Sequence, residues 1–205
     1  TSHLLSLDLL APAKGWKELT AAPMPFSHAV LLALEKNGQH YLYLAGGRSR
    51  QPNGISLFYR SLFEFDPALN RWTEKESLPY ALSAGTGLAI GNGYLLLFGG
   101  DMGDTFHQVE SLIAAIGREK DTSEKKRLDE QKILLQSSHP GFSRNVLLYQ
   151  PESDNWTTIG AIPFDSPVTT TALQWGQHII IPSGEIKAGI RSPYILSAKI
   201  PASLQ

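Results

Sequence analysis

The sequence predicts an all-β protein built from internal repeats of roughly 50 residues. Short apolar runs end in a pair of glycines, or in Ser-Gly in the third copy, and tryptophans and prolines recur between these pairs. The glycine markers are Gly46-Gly47, Gly99-Gly100 and Ser183-Gly184, the tryptophans are Trp16, Trp72 and Trp156, and the prolines are Pro23, Pro79 and Pro163. Each tryptophan precedes the next glycine marker by 27 residues (72 to 99, 156 to 183) or 30 residues (16 to 46). Three markers in one phase indicate a repeat.

The composition narrows the classes of function. The chain has 205 residues, of which 42% are hydrophobic, so it is long enough to bury a core. Its net charge of −1 provides no basic field, and we therefore expect neither nucleic acid nor a membrane surface as partner. The chain has no cysteine, which excludes disulfides and thiolate metal sites. Residues 1–10 lack the charged start and long apolar middle of a signal peptide.

The markers resemble the kelch repeat, in which one repeat forms a four-stranded blade of a β-propeller. The resemblance implies that the glycine pair ends the second strand of a blade and that the tryptophan opens the fourth strand. We predict outer strands of one blade in residues 1–21, whole blades in 22–79 and 80–163, and three strands of another blade in 164–205. The predicted strands are 4–10, 16–21, 28–34, 40–45, 61–66, 71–76, 86–90, 94–98, 146–149, 156–159, 168–175, 178–181 and 193–198.

These thirteen strands amount to about three and a quarter blades. They would leave two open sheet edges, which proteins usually avoid. We therefore expect the chain to be part of a six-bladed propeller that a second chain or a further segment completes.

The repeat is stretched by an insertion between the second and third glycine markers. The first two markers are 53 residues apart (46 to 99) and the next two are 84 residues apart (99 to 183). Val109, Leu112, Ile113 and Ile116 fall on one helical face, and Gly117 can end that helix. Ser123 can cap a second helix over 124–136, whose charged face we interpret as a solvated surface. A helical hairpin is therefore predicted within 105–136, and residues 48–54 are predicted to form a polar loop.

The segment 183–192 is the strongest candidate for chemistry. It follows the apolar strand that stops at Pro182, and two glycines bracket its charged side chains. Glu185 can take up a proton, and Arg191, six residues later, can bind an anion. The alternative is an ordinary surface turn with an exposed ion pair.

The helical insertion together with Ser-Gly-Glu-x-Lys-x-Gly-x-Arg resembles the sialic-acid mutarotases, or N-acetylneuraminate epimerases, including their circularly permuted relatives. The family's usual Asn-Gly-Glu is Ser183-Gly184-Glu185 here. The resemblance implies that Glu185 accepts a proton, that Arg191 holds the substrate carboxylate, and that Lys187 belongs to the same site. It also implies an isomerase acting on a small sugar acid without metal or organic cofactor, in the bacterial periplasm or otherwise exported.

Five further residues lie close to the glycine-marked strands and are secondary candidates for substrate binding. They are Arg48, His28, Asp101, Phe106 and His107. A histidine in such a place is more often a hydrogen-bonded wall residue. The segment 139–142 is predicted to be the turn that returns the insertion to its blade.

Two other functions compete with the isomerase. A non-catalytic kelch scaffold would present the insertion to a protein partner, and exposed aromatic residues on the insertion would favour it, but only Phe106 is available. A kelch copper oxidase is disfavoured, because its crosslinked thioether cofactor needs a cysteine.

Overall fold

The computed structural model describes residues 1–91 and 93–204, which leaves residue 205, the end of the last predicted unit, outside the described residues. The strands are β1 (Leu5–Ser6), β2 (Lys17–Glu18), β3 (Val30–Lys36), β4 (Gln39–Ala45), β5 (Arg48–Arg50), β6 (Ser56–Phe58), β7 (Leu62–Asp66), β8 (Arg71–Lys75), β9 (Thr86–Ile90), β10 (Tyr94–Phe98), β11 (Asn145–Gln150), β12 (Asn155–Ala161), β13 (Leu173–Trp175), β14 (His178–Lys187) and β15 (Ile190–Lys199). The helices are α1 (Asp104–Arg118) and α2 (Thr122–Ser137). Within the described residues, neither helix is long and apolar enough to cross a membrane.

The strands form antiparallel sheets that follow the repeat. The first blade has the order β3-β4-β7-β8, the second has β9-β10-β11-β12, and the third contributes β13-β14-β15. The strands predicted over 4–10 and 16–21 are only two residues long each, as β1 and β2, which pair with each other. The predicted all-β fold of kelch blades with a helical-hairpin insertion is confirmed, whereas its completion to six blades stays a prediction.

Two segments predicted to be loops are partly strand: residues 51–54 and 188–189 are turns, and the flanking residues pair. The polar segment 48–54 belongs to a separate hairpin in which β5 pairs with β6. The segment 183–192 continues the third blade, because β14 runs through Lys187 and β15 begins at Ile190. Register shifts between Pro182 and Gly184 and between Glu185 and Lys187 absorb the extra residues, so pairing continues past the glycine marker.

The inner strand of the third blade is shorter than predicted. Its regular part is Leu173–Trp175, and Val168 contributes only an isolated bridge to Glu185. Thr169 follows with a φ of 52°, which interrupts extended backbone between the bridge and the strand.

Neighbouring blades bury apolar side chains against each other in two core clusters. The second blade contributes residues to both clusters, because the side chains of β10 point alternately to the two faces of its sheet. Leu95 and Leu97 pack with Val30, Leu62 and Tyr149 towards the first blade. On the opposite face, the second cluster joins Leu96 and Phe98 to residues of the third blade, which include Ala172, Ile179 and Ile181. The uninterrupted apolar run of β10 thus reflects a strand covered on both sides.

The glycine pairs are required because the next blade approaches their backbone. Gly46 has a φ of 60°, and a Cβ atom built on it would lie 2.2 Å from the Leu82 carbonyl oxygen at the start of the second blade. Gly99 has a φ of 65°, and its Cβ atom would lie 2.7 Å from Ser166 Oγ and 2.9 Å from the Pro167 carbonyl oxygen before the third blade. Only glycine combines this left-handed conformation with such a close approach.

The tryptophans hold neighbouring blades together at the outer strands. Trp72 Nε1 donates a hydrogen bond of 3.1 Å to the Thr20 carbonyl, and Trp156 Nε1 donates one of 2.9 Å to the Glu76 carbonyl. The backbone amides of Thr20 and Glu76 are bound in turn. Each donates to a side-chain oxygen of the residue two positions before the tryptophan. Thr20 N–H donates to Asn70 Oδ1 at 3.0 Å, and Glu76 N–H donates to Asp154 Oδ1 at 2.8 Å.

The insertion starts and ends close to the predicted positions, but both predicted boundary residues are wrong. Gly117 lies inside α1, because Glu119 N–H still bonds the Ala115 carbonyl at 3.0 Å and so continues the helical pattern. Asp121, not Ser123, caps α2: its Oδ1 accepts the Glu124 amide at 2.7 Å, and the helix begins at the next residue.

Candidate functional site

Three charged side chains occupy the same position in successive blades. Arg48, Asp101 and Glu185 each follow directly after a glycine marker. Each forms an isolated antiparallel bridge to the segment that precedes the inner strand of its own blade, at Ser27, Ser83 and Val168 respectively. The repeat therefore delivers one charged side chain per blade to the same end of the sheets.

The residues after those bridge partners adopt a conformation that is rare for residues other than glycine. His28, Ala84 and Thr169 have φ values of 55°, 59° and 52°. Ala84 N–H donates to the His28 carbonyl at 2.8 Å, and Thr169 N–H donates to the Ala84 carbonyl at 3.1 Å. These bonds link the three blades at one end. Strained backbone that a structure retains in this way is characteristic of functional sites.

A cavity of about 320 Å³ opens where these segments meet. The blades contribute the three charged residues and the three left-handed residues, and the insertion with the segment that follows it covers another side. The principal lining residues are His28, Arg48, Ala84, Asp101, Phe106, Val109, Gln136, His139, Phe142, Thr169, Glu185 and Gly189. A cavity of this size, in which apolar and polar side chains both line the wall, suits a small ligand.

The two carboxylates of the cavity are each oriented by a backbone amide of their own loop. Glu185 Oε1 accepts the Gly189 N–H at 2.8 Å, across the turn between β14 and β15. Asp101 Oδ1 accepts the Gly103 N–H at 2.8 Å, at the entry to α1. In each case one oxygen is held by the amide. A carboxylate oriented in this way can accept a proton from a ligand in the cavity.

Arg48 lies half-buried with its guanidinium over aromatic rings. Its Cζ is 4.0 Å from the centre of the Phe106 ring and 5.8 Å from that of Phe58. Burial lowers the pKa of Arg48 from its usual value, and the carboxylates of Glu110 and Asp101 act in the opposite direction. Arginine nevertheless stays charged in proteins.

His28 lies beside Arg48 at the cavity. Burial, and secondly the positive charge of Arg48, lower the pKa of His28 below its usual value of 6.5. The imidazole is therefore neutral at neutral pH and can donate or accept a hydrogen bond.

Three of the candidate residues lie outside this cavity. Arg191 is opposite Glu185 in the β14–β15 register, but it is exposed and lines a neighbouring cavity of about 640 Å³ along β15, with Arg144 and Tyr194. Lys187 is half-buried near the turn of that hairpin. His107 packs on Phe58 with ring centres 4.9 Å apart, and its Nε2 atom is buried without a hydrogen-bond partner among the described residues.

His139 also lines the cavity, within the segment 139–142 that the sequence predicts to be a returning turn. It is buried, its Nδ1 accepts the Gly141 N–H at 3.0 Å, and its ring packs on Phe142 at 4.9 Å. Because Nδ1 is an acceptor, the neutral ring carries its proton on Nε2. The available sequence signal was its place directly between α2 and the strand that returns to the blade.

The family model for N-acetylneuraminate epimerases matches residues 1–204 of the chain. The chain belongs to the N-acetylneuraminate epimerase family. Among curated relatives, the N-acetylneuraminate epimerase of Brucella melitensis is 24% identical over 197 residues, covering 95% of this chain and 50% of the relative. That of Pasteurella multocida is 27% identical over 195 residues, covering 94% and 50%. The chain thus spans about half the length of the curated relatives it matches.

Among solved structures, that of YjhT superposes with a TM-score of 0.79 at 18% sequence identity. The match covers 100% of this chain and 58% of the other. At this identity the similarity supports the fold. The resemblance to this family noted in the sequence is confirmed, while membership of its circularly permuted branch stays a prediction.

Proposed function

We propose that the protein interconverts the α and β anomers of N-acetylneuraminate, and that Glu185 accepts the proton of the anomeric hydroxyl. The observation that carries this proposal is the oriented Glu185 carboxylate in a cavity that also holds Arg48. The names of the family and of its relatives supply the substrate. The periplasmic or exported location implied by the resemblance stays a prediction.

The reaction opens and recloses a cyclic hemiketal. Glu185 removes the proton from the anomeric hydroxyl, the bond between the anomeric carbon and the ring oxygen breaks, and the ring oxygen takes up a proton. Rotation of the free ketone presents its other face, and the reverse steps close the ring as the other anomer. The net change is the configuration at one carbon, so the proton gained by Glu185 is returned and no redox partner is needed.

His139, which lines the cavity with its Nδ1 bound to Gly141 N–H, is the candidate donor for the ring oxygen through Nε2–H. The resemblance assigns the substrate carboxylate to Arg191. That assignment stays a prediction, and if it holds, Arg191→Ala raises KM with little change in kcat.

The scaffold alternative gains no support from the insertion's aromatic residue. Phe106 is half-buried, packs on Phe58 with ring centres 5.4 Å apart and contacts Arg48. It therefore takes part in the cavity rather than in an exposed aromatic docking surface.

The first test measures anomer exchange with Glu185→Gln. The amide oxygen of glutamine can still accept the Gly189 N–H, so shape is kept while the basic charge is lost. We expect the catalysed rate to fall by about 10²–10⁴-fold, the usual contribution of a general base. Proton NMR of freshly released α-anomer gives both rates, after subtraction of spontaneous exchange.

Glu152→Gln is the matched control, because Glu152 is exposed on the turn between β11 and β12. It should leave the rate unchanged. Full activity in Glu185→Gln would show that Glu185 is not the base. No acceleration by the unmodified protein would reject the proposed activity itself.

A further inference from the structure

Arg48 is the cavity's unneutralised cation. Within residues 1–91 and 93–204, no ion pair reaches its guanidinium, although seven ion pairs form elsewhere. Its backbone is fixed by the bridge to Ser27, whose N–H and hydroxyl both donate to the Arg48 carbonyl at 2.9 Å. A half-buried charge without a counter-ion is unfavourable, and an anion in the cavity would relieve this.

The nearest acidic residues act on Arg48 without forming an ion pair with it. Glu110 is buried on α1, where its two oxygens accept the Ser56 N–H at 2.6 Å and the Ser56 hydroxyl at 2.8 Å. Asp101 Oδ1 is held by Gly103. Both carboxylates act on Arg48 at longer range than an ion pair.

An anionic ligand needs a positively charged side chain in this cavity, because the cavity also holds two acidic residues. Asp101 and Glu185 are acidic, and Arg48 is the one Lys or Arg among the lining residues that the structure describes. A sugar carboxylate would be repelled by the two acids unless it lay against Arg48. Arg191 pairs with Glu185 across β14 and β15, but its side chain is exposed and lines the neighbouring cavity.

We infer that Arg48 binds the carboxylate of the sugar acid in this cavity, and that Phe106 positions its guanidinium. This inference rests on the proposed function and names the group that recognises the substrate's charge. A planar guanidinium can hold a carboxylate through two parallel hydrogen bonds. The Phe106 ring, whose centre lies 4.0 Å from Arg48 Cζ, packs against the guanidinium and limits its movement. Glu185 would then act on the hydroxyl of the carbon that bears that carboxylate.

The test compares N-acetylneuraminate with its methyl ester, which has the same ring but no charge at that position. Binding is measured by isothermal titration calorimetry for the unmodified protein and for Arg48→Gln. We expect Arg48→Gln to weaken binding of the acid by about 10- to 100-fold, the usual value of a hydrogen bond to a charged group. Binding of the ester should change by less than about 3-fold, within the context-dependence of a neutral contact.

Three variants sharpen the comparison. Arg48→Lys keeps the charge without the planar fork and should restore part of the preference for the acid. Phe106→Leu keeps apolar bulk and should lower the acid-to-ester ratio by about 2- to 5-fold, in line with an exposed cation–π contact. Arg191→Gln tests the other candidate partner of the carboxylate, and under this inference it should leave the ratio unchanged. Thermal unfolding of each variant shows whether it is folded.

The outcomes separate the inference from the proposed function. A ratio that is unchanged in folded Arg48→Gln overturns the inference, and a ratio that collapses in Arg191→Gln instead assigns the carboxylate to Arg191. If the unmodified protein neither binds N-acetylneuraminate nor accelerates its anomer exchange, the proposed function fails and the inference fails with it. An active protein with an insensitive Arg48 leaves the proposed function standing.

Discussion

Arg48, Asp101 and Glu185 show how one backbone position of a repeat can carry different chemistry. The bridges to Ser27, Ser83 and Val168 hold the three residues by the same backbone hydrogen bonds. The fold therefore does not require a particular side chain after the glycine marker. The side chains are therefore free to supply one cation and two carboxylates to the cavity. Here the fold fixes position while the individual residue determines function.

The coupling between His28 and Arg48 gives a prediction at this scale. Arg48 lowers the pKa of His28 in addition to the effect of burial. Replacing Arg48 by glutamine removes a positive charge that opposes protonation, so the pKa of His28 should rise towards its usual value of 6.5. It should stay below that value, because the burial persists. NMR titration of the imidazole measures the change, with His28→Gln to assign the resonance.

Arg191→Gln serves as the control for this titration, because it removes the same charge from the neighbouring cavity. The His28 curve should not move in that variant. A His28 pKa that is unchanged in Arg48→Gln would show that burial alone accounts for the depression.

Sequence reasoning located some cavity residues and missed others for a physical reason. Glu185, Arg48 and Asp101 follow glycine markers, so the repeat pointed to them. Ala84 and Thr169 carry no reactive group, and they matter through a left-handed backbone that composition does not reveal. The pairing of Arg191 with Glu185 depends on β14 and β15 extending past the marker, which the glycines suggested would not happen.

At the scale of elements, the blades are joined by backbone contacts as much as by apolar packing. Gly47 N–H donates to the Leu82 carbonyl at 2.7 Å, beside the position where a Cβ atom on Gly46 would collide with the same oxygen. The first blade thus binds the second through the glycine pair. The glycine pair that marks the repeat in the sequence therefore also forms the contact between the first and second blades.

Gly46→Ala should destabilise the protein far more than Gly176→Ala. Gly46 and Gly176 have nearly equal φ values of 60° and 58°, but nothing lies within 4 Å of a Cβ atom on Gly176. Both substitutions cost about 1–2 kcal/mol for a left-handed alanine. Gly46→Ala must also displace the Leu82 backbone, which adds about 1–3 kcal/mol. Urea denaturation of both variants gives the two free energies of unfolding.

Equal destabilisation of the two variants would contradict this account, since it would mean that the left-handed backbone alone explains the glycine. A larger loss of unfolding free energy for Gly46→Ala gives the contribution of the contact between blades, because the cost of the left-handed backbone is the same in both variants.

For the whole molecule, the sequence predicted the blade repeat and the helical insertion well, because both depend on local pattern. The paired glycines, the tryptophans and the change to a helical period are each visible within a few residues. How the insertion docks was not predictable in this way. That contact joins Glu110 on α1 to Ser56 on β6, which are 54 positions apart, and a lone glutamate on a predicted helix suggests an exposed side chain.

The docking of the insertion unites the blades and the cavity. α1 carries both Glu110, which binds the β5–β6 hairpin, and Phe106, which contacts Arg48 at the start of β5. Both contacts join the same helix to the same hairpin. Loss of the Glu110–Ser56 contact should therefore also weaken the contact between Phe106 and Arg48. The insertion is therefore a wall of the site whose position depends on a buried carboxylate.

Glu110→Ala should release the insertion while leaving the blades folded. It leaves the buried Ser56 amide and hydroxyl without their acceptor, at a cost of about 1–3 kcal/mol for each unsatisfied group. Hydrogen exchange followed by mass spectrometry should show faster exchange in α1, α2 and the β5–β6 hairpin, with little change in β10 and β11, which lie in the core. Glu124→Ala is the control within the same insertion, because its ion pair with Arg127 is on the surface of α2.

If both variants exchange like the unmodified protein, the Glu110 contact does not hold the insertion in place. If β10 and β11 lose protection together with the helices, the insertion is part of one cooperative unit with the blades.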